Sequence, residues 1–375
     1  MKISFPHMGT SPIAFKMLVR DLGHEVVVPP RPSTRTLSLG TEYAPEFACL
    51  PLKILLGTYL EVLEQGADTI VTTGGVGPCR AGLYAELQKK ILEDLGYEFK
   101  MVVLEPPRWG YLDFLRKLRF LKGDRSWSEL WRVIKKAWSK VKALDDTEKA
   151  LHWVRPRELE QGSSTRTYQR ALKLLDDACT EEEIKQARLE ALRMMKSVPM
   201  DPDREVLKVG IVGEIYVVLE PASNLDLERM LGEMGVEVNR SIFLTGWTRD
   251  NAVLDSARVK HGVTVKKAAA PYMPEMIGGH GQDSVGHTIL YAQDGFDGVV
   301  QLAPFTCIPE IVARSLMPQV SRDYDIPVLT FFLDEQTGEA GVRTRLEAFV
   351  DLLWRRRRKR AGAGLYKPVA SPAAR

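Results

Sequence analysis

The chain has 375 residues, of which 27% are charged and 45% hydrophobic, and its formal net charge is +3. This composition is ordinary for a globular protein, and so small a net charge does not by itself indicate a nucleic-acid partner. Four scattered cysteines do not make a secreted disulfide framework, and no apolar run is long enough to span a bilayer. We therefore expect a soluble cytoplasmic protein of two or three domains that binds neither nucleic acid nor membrane.

The first 108 residues alternate strand-like runs with helical patterns. Strands are predicted at Lys2–Phe5, Glu25–Val28, Asp68–Thr72 and Lys100–Leu104, with helices at Pro12–Leu22, Pro51–Gln65 and Ala81–Leu95. The same alternation returns from residue 206, with strand signals at Leu207–Val212, Val299–Leu302 and Val328–Phe332. Strands that alternate with helices favour parallel sheets. We expect an α/β fold with two Rossmann-like parallel-sheet domains facing each other, at residues 1–108 and 206–354.

Residues 109–205 carry no strand signal and are predicted to form a helical segment inserted between the two domains. Five of the seven tryptophans fall here, and residues 111–160 contain thirteen Lys or Arg against eight Asp or Glu. A helical domain with tryptophans in its core and a solvated charged face accounts for this composition. A docking surface for an acidic partner or a phosphate-bearing ligand is the alternative.

Residues 355–375 form a basic C-terminal segment that begins with the six consecutive basic residues Arg355–Arg360. Such a run can contact nucleic acid or act as a localisation signal. It follows the amphipathic run Leu346–Trp354, and cations are favoured near the C-terminus of a helix. We expect a solvated helix end that leads into a disordered tail.

Three of the four cysteines share one sequence setting. Cys49, Cys79 and Cys307 each have a proline one or two residues away, and each precedes an apolar run with a helical pattern. A thiol at the start of a helix meets free backbone N–H groups and the positive end of the helix dipole, which stabilise the thiolate form that binds metal. Cys179 lies in a helical pattern without this setting, and we interpret it as a bystander.

The three cysteines are distant in sequence, so they share one centre only if the fold brings two α/β domains together. Their spacing differs from that of a local zinc knuckle and from the cysteine runs of ferredoxins. Loops at the carboxyl ends of parallel strands converge, and three thiolates there could hold a [4Fe–4S] cluster with one iron open. Three unrelated buried cysteines, or a zinc site, are the alternatives.

Several segments resemble one superfamily of iron–sulfur proteins. Glu42–Lys53 is similar to the first cluster-ligand segment of 2-hydroxyacyl-CoA dehydratase and benzoyl-CoA reductase subunits. It resembles still more closely their acyl-CoA dehydratase activase-related, or CoA-protein-activase-like, members. Gly77–Cys79 and Cys307–Glu310 fit the second and third ligand segments, and Gly278–Gly286 and Gly213–Val217 also resemble that group.

This resemblance implies a [4Fe–4S] cluster held by Cys49, Cys79 and Cys307 in an oxygen-sensitive protein of an anaerobe. In the superfamily, an actin-like ATPase with its own iron–sulfur cluster injects a low-potential electron, and the cluster protein performs a radical elimination or reduction on a CoA thioester. The implied partners are that ATPase, a related second subunit or second copy, and an acyl-CoA ligand. The chain has no GxxxxGK[ST] loop, so its residues do not support a nucleotide-binding role.

Two glutamates accompany the cysteines. Glu46 and Glu310 each lie three residues from a cysteine and are candidate proton donors or ligands to the open iron. Glu310 can equally be a first-turn acid favoured by the helix dipole. The Gly278–Gly286 loop, which contains His280, lacks a clear GxGxxG register and predicts a connecting or close-approach loop, with a dinucleotide site disfavoured. An electron relay, sensor or scaffold is the alternative to an enzyme.

Overall fold

The computed structural model of the protein describes residues 1–75, 79–105, 110–249 and 260–362. Within these residues the chain forms two four-stranded sheets, and every pairing in both sheets is parallel. The prediction of an α/β protein with two parallel sheets is therefore confirmed. The expected boundary at residues 108 and 109 lies outside the described residues.

The chain divides into two compact units, and each unit contains one sheet. The first unit consists of Met1–Asp145, Leu174–Arg188 and Leu244–Arg258, and the second of Asp146–Lys173, Leu189–Phe243 and Val259–Arg375. Four helices cover most of the middle of the chain: α5 (Tyr111–Lys122), α6 (Trp127–Val154), α7 (Ser163–Asp177) and α8 (Glu181–Lys196). The unit boundaries cut through α6, α7 and α8, so both units share this helical segment.

The first sheet has the spatial order β2-β1-β3-β4. Its strands are β1 (Lys2–Ser4), β2 (Glu25–Val26), β3 (Thr69–Thr72) and β4 (Lys100–Val103). The helices that connect them are α1 (Ser11–Asp21), α2 (Thr34–Tyr43), α3 (Leu50–Glu64) and α4 (Tyr84–Asp94). A 3₁₀ turn, Arg80–Leu83, leads into α4.

Helices α2 and α3 pack closely because two glycines meet at their contact. A Cβ atom on Gly40 would lie 1.8 Å from the carbonyl oxygen of Lys53, and one on Gly57 would lie 1.8 Å from that of Thr36. A capping box formed by Ser33 and Thr36 starts α2. The sequence pattern does not predict α2. Only Thr36 and Gly40 of this helix are buried, so its buried face lacks the periodic apolar residues that indicate a helix.

The second sheet has the matching order β6-β5-β7-β8. Its strands are β5 (Leu207–Gly213), β6 (Val236–Arg240), β7 (Gly298–Pro304) and β8 (Val328–Leu333). The remaining helices are α9 (Ile215–Leu219), α10 (Leu227–Glu233), α11 (Leu244–Thr248), α12 (Lys260–Ala269), α13 (Gly281–Gln293), α14 (Ile308–Asp323) and α15 (Glu339–Gly362). Every residue of β7 is buried, as expected for a central parallel strand. At the end of β5, Gly213 has φ +146°, and a Cβ there would lie 2.0 Å from the carbonyl oxygen of Leu302.

Helix α15 continues through the basic run Arg355–Arg360. The guanidinium of Arg357 is buried, and it donates to Asp297 at 3.0 Å and to the carbonyl oxygen of Val206 at 2.8 Å. The expected disordered tail therefore does not begin at Arg355, because internal acceptors hold this end of the helix; residues 363–375 lie outside the described residues. No helix in the described part of the chain is long and apolar enough to cross a membrane.

Candidate cysteine sites

The order of the strands places a topological switch point at the carboxyl edge of each sheet. In an order of the type 2-1-3-4, the chain leaves the first and third strands in opposite directions, and ligands of α/β proteins bind at this switch point. Cys79 follows β3 and Cys307 follows β7, so each cysteine belongs to the switch point of its own sheet.

In the first unit, the segments that contain Cys49 and Cys79 lie together. Cys49 is the N-cap of α3 and is buried, with 7% of its surface exposed, whereas the partly exposed Cys79 starts the turn that leads into α4. Arg80 donates to the carbonyl oxygen of Phe47 at 3.0 Å, and the hydroxyl of Tyr84 lies 2.5 Å from the Cys49 sulfur. These two contacts join the start of α3 to the start of α4.

Glu105, just after β4, fixes the loop that leads to Cys79. Its carboxylate accepts hydrogen bonds from the backbone N–H groups of Gly74 at 2.8 Å and Gly75 at 2.5 Å. The sequence reasoning missed Glu105, whose only local signal is a carboxylate directly after a strand. Gly77 and Pro78 of the predicted second ligand segment lie outside the described residues.

In the second unit, a tight turn between β7 and α14 holds Cys307. Cys307 is the N-cap of α14 and is 7% exposed, and its N–H donates to the carbonyl oxygen of Pro304 at 3.0 Å. Thr306 has φ +68°, a left-handed conformation that is unfavourable for a β-branched residue. The thiol therefore stands at a helix N-terminus on a backbone with little freedom.

Glu310 is fully buried in the first turn of α14. Its carboxylate accepts from the Ser284 hydroxyl at 3.0 Å and from the Gln301 amide at 2.8 Å, and the Gln301 side chain in turn accepts from Thr330. Burial raises the pKa of Glu310 to about 7, against the lowering effect of the Gln301 and Ser284 hydrogen bonds, and the charge of Glu214 adds to the rise. Glu310 is thus a first-turn acid of α14, as the sequence also allows, and its carboxyl group is sealed between helix and sheet.

Glu214, directly after β5, is a partly buried carboxyl group of the same unit. It is the N-cap of α9 and accepts from the N–H groups of Tyr216 and Val217 at 3.0 and 3.1 Å. Burial raises the pKa of Glu214 to about 7, although these two hydrogen bonds act to lower it. Glu310 and Glu214 can therefore both change charge near neutral pH. The sequence reasoning included Glu214 only as part of a family-like segment.

The other two sequence-selected residues have different surroundings. Glu46 is exposed in the loop before Cys49. Cys179 is also exposed, but it does not lie in a helix, because α7 ends at Asp177 and Cys179 belongs to the loop before α8. The interpretation of Cys179 as a helical residue was wrong. Its N–H donates to the carboxylate of Glu183 at 2.8 Å, so an internal acid already occupies this helix start.

One further cluster has side chains of the types that bind metals. Glu148, His152 and Glu228 place their ligand atoms within 4.8 Å of one another. However, the buried guanidinium of Arg240 pairs with both carboxylates, and His152 contacts Glu228 at 2.6 Å. Burial acts to raise the pKa of Glu228, but Arg240 and His152 hold it well below its usual range. Because the arginine already balances these carboxylates, we interpret the cluster as a buried ion-pair network.

The three selected cysteines fit an iron–sulfur cluster by their chemistry and setting. Each is the N-cap of a helix or a 3₁₀ turn, and none uses its sulfur to cap that turn. Exposed apolar side chains lie beside them in sequence, namely Phe47, Leu83, Phe305 and Ile308.

Comparison with known proteins identifies no family model and no curated protein that matches the chain. The resemblance to the dehydratase and reductase subunits therefore depends on the motif segments alone.

Proposed function

We propose that the protein carries a [4Fe–4S] cluster ligated by Cys49, Cys79 and Cys307, and that it supports ATPase-driven, low-potential reduction or dehydration of an acyl-CoA or a related small molecule. The observation that carries this proposal is the position of the three thiols. Each lies at the N-cap of a helix or turn: Cys79 and Cys307 directly follow the third strand of their sheets, and Cys49 begins the helix that precedes β3. When bound, the cluster would supply one-electron chemistry at low potential.

The chain's own contribution begins with the thiolates. Helices α3 and α14 have 15 and 16 residues, which is long enough for a full helix dipole, and Cys49 and Cys307 lie at their N-caps. The positive end of each helix dipole would favour the thiolate form of Cys49 and Cys307, and thiolate is the form that binds iron.

The carboxyl groups of Glu310 and Glu214 would supply a proton. Glu310 lies three residues after Cys307 in the chain. Its pKa of about 7 allows it to hold or release a proton under physiological conditions. Negative charge added to a buried site raises the pKa of nearby carboxyl groups. An electron that arrives near Cys307 would therefore favour proton uptake by Glu310 and Glu214.

The proposed partner is an actin-like ATPase with its own iron–sulfur cluster, and α5 and α6 of the first unit supply a suitable surface. Trp131 is 66% exposed, Trp127 is also exposed, and Lys135 is 77% exposed on the same stretch of α6. Exposed aromatic anchors among cations suit a transient contact with an acidic partner. Trp131→Ala combined with Lys135→Glu should weaken ATPase-dependent reduction and leave reduction by dithionite unchanged.

An electron relay is the second candidate, and the burial of the thiols favours it. Cys49 and Cys307 each expose only 7% of their surface, which leaves little access for a bulky thioester. The two candidates differ in their response to substrate, because only an enzyme would convert acyl-CoA in the presence of the ATPase and ATP. Full reduction by dithionite alone, unaffected by ATPase and ATP, would favour the relay.

Anaerobic reconstitution followed by iron and sulfide analysis tests the cluster directly. We expect about four irons and four sulfides per chain, as one cube requires. Single Cys→Ser changes at Cys49, Cys79 and Cys307 should each strongly reduce incorporation, and Cys179→Ser is the matched control that should not. Zinc without sulfide in the purified protein, or equal dependence on Cys179, would contradict the proposal.

A further inference from the structure

The second unit contains a cavity whose lining includes no cysteine. Its volume is about 500 Å³, and it lies between α7 and the segment that follows α8. Pockets that bind small organic molecules have volumes of about 300–1,000 Å³. The cavity is therefore large enough for a ligand of the size of a nucleotide.

One side of α7 borders this cavity and carries polar side chains. Four residues at the spacing i, i+3, i+4 and i+7 line it from the same side of the helix, namely Ser163, Arg166, Thr167 and Arg170. Ser197 lines it from the segment after α8, and none of the lining residues in the described part of the chain is acidic. The wall of the cavity thus offers two guanidinium groups and three hydroxyl groups.

The two arginines carry charge that a ligand can use. Arg170 donates to the Thr167 hydroxyl at 3.1 Å and forms no ion pair within the described residues. Arg166 pairs with Glu160, but the two side chains are 59% and 75% exposed, so water screens this pair and an anionic ligand can replace the glutamate. Both guanidinium groups are therefore available to bind negative charge.

The hydroxyl group of Thr167 supplies a further donor. Thr167 is only 6% exposed, and its oxygen accepts the hydrogen bond from Arg170. Its own proton has no acceptor among the residues that the structure describes. The hydroxyls of Ser163 and Ser197 differ, because both donate to other groups of the protein. Since buried polar groups are nearly always hydrogen-bonded, the Thr167 hydroxyl indicates an acceptor that comes from the cavity.

The start of α7 takes no part in this recognition. The carboxylate of Glu158 accepts from the N–H groups of Gly162 and Ser164, both at 2.7 Å. It therefore satisfies these N–H groups and already places a negative charge at the positive end of the helix dipole. An anion in the cavity must be bound by side chains.

Donors without matching acceptors indicate an anionic ligand, and their geometry favours phosphate. A guanidinium group is a planar fork that binds two phosphate oxygens at once. A terminal phosphate group has three oxygens for two such forks and a hydroxyl to share, whereas a carboxylate has only two. Because the cavity is larger than inorganic phosphate, the rest of an organic molecule has space beside the phosphate group.

We propose that this cavity binds the phosphate group of a small phosphorylated organic molecule through Arg166, Thr167 and Arg170. Nucleotides and coenzyme A both carry such groups. The site lies within the second unit and does not need the proposed cluster, so this proposal holds or fails independently of the proposed function.

Isothermal titration calorimetry of the full chain with pyrophosphate, ADP and coenzyme A tests the proposal. The wild-type protein should bind at least one of these compounds at one site per chain. Arg170→Gln should weaken that binding by about tenfold or more, because hydrogen bonds to a charged group are lost. Ser197→Phe should also weaken it, because the ring would occupy the cavity without a change in charge. Arg343→Gln is the matched control, since Arg343 is an exposed arginine on α15 that does not line the cavity.

The outcomes also distinguish the source of the phosphate. Tightest binding of coenzyme A would support the site and connect it with the proposed acyl-CoA substrate, whereas tightest binding of ADP or pyrophosphate would support it for another phosphorylated ligand. No saturable binding of any of the three would overturn the proposal. Equal losses in Arg170→Gln and Arg343→Gln would also overturn it, because they would show attraction by net charge alone. Circular dichroism checks the fold of each variant, and Arg166→Gln, which should also weaken binding, is the second variant of the site.

Discussion

Replacement of Glu310 by Gln should stabilise the protein above pH 7 and change its stability little at pH 5. Glu310 is fully buried, and burial raises its pKa from 4.5 to about 7. The folded protein therefore keeps a proton that the unfolded chain releases above pH 4.5. Stability is lost as the pH rises from about 4.5 to about 7, and the loss is complete above the folded-state pKa.

The size of this effect follows from the two pKa values. A rise from 4.5 to about 7 corresponds to about 3 kcal/mol of unfolding free energy, since one pKa unit equals about 1.4 kcal/mol. Glutamine has the shape of the protonated acid and cannot ionise, so it avoids this loss. Its amide must still satisfy the hydroxyl of Ser284 and the amide of Gln301, and a poorer match there would cost about 1 kcal/mol.

Urea unfolding at pH 5, 6, 7 and 8 measures the prediction. Glu310→Gln should unfold within about 1 kcal/mol of the wild-type protein at pH 5 and up to about 3 kcal/mol above it at pH 8. Glu347→Gln, on an exposed position of α15, is the matched control and should show no such trend. An equal difference between Glu310→Gln and wild type at pH 5 and pH 8 would refute the assignment of a buried, neutral carboxyl group.

Other variants probe the packing and the ion-pair network, each by thermal or urea unfolding. Gly57→Ala should lose at least about 2 kcal/mol because its Cβ would collide with the backbone of α2, whereas Gly341→Ala, in open space on α15, should gain up to about 1 kcal/mol. Arg240→Ala should lose about 3–5 kcal/mol because it removes the buried cation that pairs with the carboxylates of both Glu148 and Glu228. Arg193→Ala, which breaks only an exposed pair, should change stability by less than about 1 kcal/mol. If Gly57→Ala and Gly341→Ala lost similar stability, the packing explanation would be wrong. If Arg240→Ala and Arg193→Ala lost similar stability, the explanation by the buried ion pairs would be wrong.

The sequence predicts the sheets well because buried parallel strands such as β7 are almost entirely apolar, with Gln301 as the one polar side chain of that strand. It also selects cysteines at helix starts, because proline and a following apolar period are local signals. Helix α2 escapes prediction because glycine and threonine make its contacts. The contacts of Glu105 and Arg240 cannot be predicted from local sequence, because their partners lie about 30 and 92 residues away in the chain.

The basic end of α15 has a consequence for how the protein would respond to salt and polyanions. Arg357 is bound to Asp297, and Arg356 and Arg360 are bound to Asp325, while the other three cations of the run face outward. Three of the six cations are thus already paired with carboxylates of the second unit, two of them sharing Asp325. A polyanion could release counterions from only about three sites, so its binding should weaken with salt about half as steeply as six free cations would require.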